Sequence, residues 1–165
     1  MKKTLGSLIM LMAVSAGALS AQDPAVESRT ATATITIPTL LHIDVTNTAV
    51  AFPQPSFDDF DVGHVDASSP ASVIDTRGNV VHDVTIAADA ATFTGPWEKP
   101  ADDLGWSLDG SSFTNLTTTE ADVATGVAQG SNSNVATVSY RMALDQANDV
   151  PGDYSLDFTF TVVPN

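Results

Sequence analysis

Apolar and polar residues alternate one by one over much of this chain, most regularly near its C-terminal end. Ala136, Val138, Tyr140, Met142 and Leu144 share one parity against Thr137, Ser139 and Arg141. Tyr154, Leu156, Phe158, Phe160 and Val162 then alternate with Ser155, Asp157, Thr159 and Thr161. A period of two places one face of a strand in a core and the other in water. The break between the runs, "DQANDVPGD", holds Asn148, Asp149, Pro151, Gly152 and Asp153, all turn-forming residues. Together they predict a long antiparallel hairpin on which the rest of the chain packs. With Leu144 opposite Tyr154, Tyr140 faces Phe158 on the core side. Arg141 then lies opposite Asp157 on the wet side, a pair worth up to about 1 kcal/mol. A slip of one residue would oppose polar to apolar along the whole ladder.

The same pattern recurs upstream. In "TATATITIP", Ala31, Ala33, Ile35 and Ile37 alternate with Thr30, Thr32, Thr34 and Thr36, and Pro38 closes the run. Leu41, Ile43 and Val45 alternate with His42, Asp44 and Thr46, and "AVAFP" gives a short strand before Pro53. Residues 55–69 read as a loop, with Phe57 and Phe60 as plugs into the core. "ASVIDTRGN" and "VVHDVTIAADA" form two strands around a turn at Gly78-Asn79, with His82, Val84, Ile86 and Ala88 on one face. "TFTGPWEKPADD" is a long loop. "LGWSLDGSSFTNL" is strand, turn at Asp109-Gly110, strand, and "ADVATGVAQGSNSN" is a weak strand followed by a polar turn. About eight to ten short strands, evenly spaced turns and no helical period predict an all-β, immunoglobulin-like antiparallel β-sandwich.

The start of the chain reads differently. Lys2 and Lys3 precede an apolar stretch around Leu8-Ile9-Met10-Leu11-Met12, then small residues, the order of a secretory signal peptide. The apolar stretch is too short for a membrane span. The expected organisation is a signal peptide over 1–21, a flexible tail over 22–29 and one sandwich domain over 30–165. The chain contains no cysteine, so neither a disulfide nor a lipidated cysteine is available. An exported protein that is extracellular, on the cell surface or periplasmic follows, with no transmembrane segment in the mature chain. Loss of Lys2 and Lys3 takes the formal charge from −14 to −16, four cations against 20 acids. Such a surface repels nucleic acid.

Around Trp106-Ser107-Leu108, with "PGDYSLDFTFTV" downstream, the chain resembles the WxL-type surface domains of bacteria, exported sandwiches with one Trp-x-Leu motif in mid-domain and a second in a closing strand. Trp106 and Leu108 match the first motif, and Gly152 and Tyr154 the approach to the second. Phe160 and Val162 stand where the closing tryptophan and leucine would be. The resemblance covers residues 80–163 and implies a bacterial secreted or cell-surface sandwich module. A pilin-like or coat-like subunit is similar in size and pattern.

Candidate chemistry is sparse. With no cysteine, a nucleophilic triad would need Ser or Thr beside His42, His64 or His82, and no Gly-x-Ser-x-Gly elbow exists. His82 shares its parity with Val84 and Ile86, which marks it as a strand residue turned to the core. No zinc spacing appears. The chain therefore reads as a non-enzyme: a surface, structural or adhesive module, with a carbohydrate- or calcium-binding module as the alternative. Asp58, Asp59, Asp61 and Asp66 share one stretch and are the candidate calcium ligands, with solvated acids as the plain reading. The turn with Asp145, Asn148, Asp149 and Asp153 is similarly oxygen-rich. Trp97, in a Pro-flanked loop, is the candidate for stacking on a sugar, whereas Trp106 belongs to the core. No cofactor is required. The expected partner is a cell-surface component, a glycan or a neighbouring protein subunit. Thr30–Ile37 is expected to pair within its own domain; the alternative is that it completes a neighbour's sheet.

Overall fold

A computed structural model describes residues 27–165. The signal peptide assigned to 1–21 lies outside the described residues, as do residues 22–26 of the expected tail. The described residues divide between a short N-terminal unit, ending at Thr36, and a compact unit over Ile37–Asn165.

The compact unit is an all-β sandwich with nine strands among the described residues. In chain order these are β1 (Leu41–Thr46), β2 (His64–Asp66), β3 (Ser72–Gly78), β4 (His82–Ala88), β5 (Leu104–Ser107), β6 (Thr114–Asn115), β7 (Ala121–Val127), β8 (Gly130–Ala143) and β9 (Phe158–Pro164). A helix, α1 (Phe57–Val62), and a 3-10 turn (Ala101–Asp103) interrupt them. One sheet has six strands in the order β1-β3-β8-β5-β6, with β2 also paired to β8; the other has three, β7-β4-β9. Every pairing between named strands is antiparallel.

β8 carries the larger sheet. Its first part pairs with β3, its last residues pair with β2, and β5 pairs with Ser139–Met142. Its alternation puts Ala136, Val138 and Tyr140 inside. The ladder with β3 breaks between Ile74 and Thr76. Opposite the break Asn134 adopts a left-handed φ of 54°, and its N–H donates to the Asp75 carboxylate. This is a bulge held by a side chain. β4 is the centre of the smaller sheet, and Val84 and Ile86 are fully buried. They join Ile74, Trp106, Leu116, Val123, Val138 and Tyr140 in one core fed by both sheets.

Two buried polar groups fit this core because they are satisfied. The His82 Nδ1 lies 3.0 Å from the Val80 carbonyl, to which it donates; Nε2 then accepts from the Thr76 hydroxyl at 2.9 Å. The Tyr140 hydroxyl donates to Ser72 Oγ, and Ser72 donates to the Asn47 carbonyl. Burial pushes the Tyr140 phenol up to about 12.

Several expectations are corrected. β8 and β9 do not form a hairpin: β9 pairs with β4, in the other sheet. Tyr140 and Phe158 do meet, with ring centroids 5.5 Å apart, but as opposing side chains from two sheets. Period-two alternation fixes which face of a strand is buried and says nothing about its hydrogen-bonded neighbour. Arg141 accordingly pairs with Asp66 rather than Asp157. The stretch 55–69 is not simply a loop. It holds α1, capped by Ser56 in a reciprocal box with Asp59 and ended at Gly63 with φ 84°, and then β2. Phe57 is no core plug; it is 77% exposed, whereas Phe60 is half-buried. "AVAFP" forms no strand. Nor do residues 30–37, all of which are exposed. The β5–β6 pair around Asp109-Gly110, β1, β3, β4, β7 and the burial of Trp106 follow the sequence reading.

Ile86 sits at the centre of the core, so Ile86→Ala is expected to lower unfolding free energy by about 3 kcal/mol, within the usual range for a buried aliphatic truncation. A urea titration checks this; a loss under about 1 kcal/mol would mean that the two sheets do not pack on this residue.

Candidate functional site

A groove lies at one end of the sandwich. It has a volume of about 1160 Å³ and runs between the segment 48–55 that leaves β1 and the segment 149–158 that enters β9. Val65, Leu104 and Met142 of the six-stranded sheet line it as well. Its surface is mixed: Val50, Phe52, Tyr154, Leu156 and Phe158 are half-buried and pack against the core while still reaching the opening, and Lys99, Asp149, Asp153 and Asp157 line it as well. Phe60, the inner aromatic of α1, also lines it.

Each lip has a local cause. Asn47, in the left-handed conformation with φ 57°, turns the chain out of β1. Its amide donates to the Ala71 carbonyl and its own carbonyl accepts from Ser72. The Ala51 carbonyl accepts the N–H groups of Ser68 and Ser69, so this lip is tied to the chain after β2. On the other lip, Asp145 closes the acidic turn by accepting from the Ala147 N–H and the Asn148 amide. Those bonds, the Ala147 N–H first, hold its carboxyl below the usual carboxylate range. The Tyr154 hydroxyl donates to the Val150 carbonyl.

Lys99 locks the second lip to the core. It is 4% exposed, and its Nζ lies 2.8 Å from both Asp103 and Asp149. A buried ammonium flanked by two carboxylates is satisfied only while both remain. The sequence reading passed over this residue. Its signal was there: Lys99 is the only lysine left once Lys2 and Lys3 are set aside, and it stands in a loop bounded by prolines.

The groove adjoins an open sheet edge. Among the described residues β9 has a strand partner only in β4. The Asp89 N–H donates to the Asp157 carbonyl and the Asn165 N–H to the Val81 carbonyl. In an antiparallel ladder, residues that bond to one neighbour alternate with residues that face the other way. Odd-numbered residues from Asp157 to Asn165 therefore bond towards β4. The N–H and C=O groups of Phe158, Phe160 and Val162 point to the open side.

Asp149 and Asp153 of the oxygen-rich turn line the groove, but the other candidate residues singled out from sequence do not meet there. Asp58, Asp59 and Asp61 lie on α1, while Asp66 lies on β2. Asp59 is engaged by the Ser56 hydroxyl and backbone N–H, the hydroxyl first, which lowers its pKa. Asp66 binds the Arg141 guanidinium, whose hydrogen bonds lower its pKa. Arg141 also lies 4.1 Å from the centre of the Phe113 ring. Among the described residues no three His, Asp or Glu side chains are grouped to hold a metal ion. Trp97 is half-buried and lines neither this groove nor a smaller hollow of about 220 Å³ beside Asp66 and Phe113. Of the motif Trp106-Ser107-Leu108, Trp106 is in the core and Leu108 is exposed at the turn. That turn is organised by Asp109, which accepts the Ser112 and Ser111 N–H groups and the Ser107 hydroxyl and is held far below the usual carboxylate range. His82 has no free nitrogen, in keeping with its reading as a strand residue. No helix among the described residues is long and apolar enough to cross a membrane.

Comparison of the chain with protein-family models, curated proteins and solved structures returned no match.

Replacing Lys99 with Met leaves Asp103 and Asp149 facing each other without a cation. Lys99→Met is expected to lower stability by about 3 kcal/mol, and adding Asp149→Leu to recover part of that loss, as measured by urea denaturation. Equal stability of wild type and Lys99→Met would show that Lys99 does not hold the lip. Asp109 gives a pH test. Its folded-state pKa is lowered, so the stability that it contributes is present above the ordinary carboxylate value of about 4 and is lost as pH falls towards the folded-state value. Asp109→Asn is therefore expected to melt below wild type at pH 7, with the gap narrowing below pH ~4. A gap unchanged on acidification would rule out this role.

Proposed function

We propose that this protein is an exported, non-enzymatic structural subunit of a bacterial surface, working through an interface rather than a reactive centre. The observation that carries this reading is the groove beside the edge of β9 that no described strand pairs. A groove lined by Val50, Phe52, Leu156 and Phe158, with unpaired main-chain groups at its side, has the chemistry of protein contact.

Export rests on the basic, apolar and small-residue order of the first 21 residues. The Trp106 and Tyr154 resemblance to WxL-type surface domains points to the same address. The acidic mature chain suits an exposed layer, where like charge keeps free subunits dispersed.

Expression in a bacterial host followed by fractionation tests this reading. The mature chain is expected outside the cytoplasm with Gln22 as its first residue, and an antibody is expected to label intact cells. Retention in the cytoplasm with Met1 still in place would contradict it.

A further inference from the structure

We infer that the groove receives the N-terminal segment Thr30–Ile37 of a second copy of this chain, which adds as a β-strand to the open edge of β9. The inference rests on the reading of the protein as a structural subunit and names the partner of that same groove.

The first observation concerns the segment. It alternates through eight residues, Ala31, Ala33, Ile35 and Ile37 against four threonines, the pattern of a strand with one face in a core. Threonine and isoleucine favour the extended backbone. Yet it belongs to no strand, and Ile35 and Ile37 are 82% and 69% exposed. A strand pattern without a sheet stands beside a sheet edge without a strand.

Dimensions and charge agree. Eight extended residues span about 26 Å, enough to run along a strand the length of β9 and reach into the groove beside its start. β9 itself has seven residues. Between Arg29 and His42 the chain carries no charged side chain. This is the stretch that can enter a mature subunit of net charge −16 without like-charge repulsion. The N–H and C=O groups of Phe158, Phe160 and Val162 supply the ladder, and the groove receives the alternate apolar side chains.

The third observation fixes the direction of assembly. Asn79 clamps the start of the compact unit: its Oδ1 accepts from the Leu40 N–H, its amide donates to the Pro38 carbonyl, and its N–H donates to the Leu40 carbonyl. Leu41 pairs with Gly78, and His82 with Pro164, so the clamp lies where β3 and β9 end. The groove lies at the opposite end, where β9 begins and the chain leaves β1. A donor end and an acceptor end at opposite poles make a heterologous contact, which repeats as an open chain of subunits rather than closing as a dimer.

The test uses the mature chain from Gln22, its Thr34→Pro variant and a synthetic peptide of residues 29–38. Proline at 34 removes a ladder donor from the middle of the segment. Light scattering after gel filtration is expected to show the mature chain growing in steps of one subunit as concentration rises. Thr34→Pro is expected to remain monomeric with an unchanged circular dichroism spectrum. The peptide is expected to bind that variant one to one and raise its Tm by about 5 °C at saturating excess. A mature chain that is monomeric at every concentration, a Thr34→Pro variant that assembles as well as wild type, or a peptide that does not bind would each overturn the inference. A concentration-independent fall in Tm on Thr34→Pro would place the segment in its own sheet, which also overturns it. All of these readings use purified protein, so they are decided separately from whether cells export the chain.

Discussion

Among the described residues three strands face six in this sandwich, and that inequality governs the rest of the molecule. A β-sheet that packs a core must have its inner face covered, because its apolar side chains gain stability only when removed from water. β4 and its two neighbours cover the central part, around Ile74, Val138 and Tyr140, which are buried. Towards the start of β9 the cover runs out. Val65, Leu104 and Met142 of the larger sheet then line a groove. The tilted contact between the Tyr140 and Phe158 rings marks where the two sheets still meet.

Around this gap the chain spends its polar interactions on rigidity. The Tyr140–Ser72–Asn47 relay and the Asn47 amide set the lip that leaves β1. Lys99 between Asp103 and Asp149 sets the other. Neither cluster exposes a reactive group. Both keep a preformed opening, so a strand that enters it does not have to order the site first, and less of its binding energy is lost to ordering. The acids that looked like candidate ligands have similar local tasks: Asp59 caps α1, Asp66 holds Arg141, Asp109 builds a turn and Asp145 closes another.

Much of the fold was legible in the sequence, and the limit has a physical form. Alternation identified the inward parity of β1, β4 and β8 and placed Trp106 and His82 inside. Partnership was not legible for β8 and β9, because the turn-rich segment between them crosses from one sheet to the other and the same alternation serves either arrangement. The helix α1 has six residues, too few to show a helical period; its signature was the cap, Ser56 with Asp59, and the closing Gly63. The candidate site was the least legible. A groove made by a missing strand is a property of the tertiary arrangement, and no local motif encodes it. Thr30–Ile37 was read as a strand of its own sheet and forms no strand among the described residues.

The central claim is that β9 has an open edge, and amide hydrogen exchange of the monomeric, dilute mature chain tests it most directly. Thr159, Thr161 and Val163, whose N–H groups bond to β4, are expected to be protected. Phe160 and Val162, whose N–H groups face outward, are expected to exchange much faster, giving a period-two pattern along the strand. Equal protection of all five amides in the monomer would mean that a strand already covers this edge and would contradict the account.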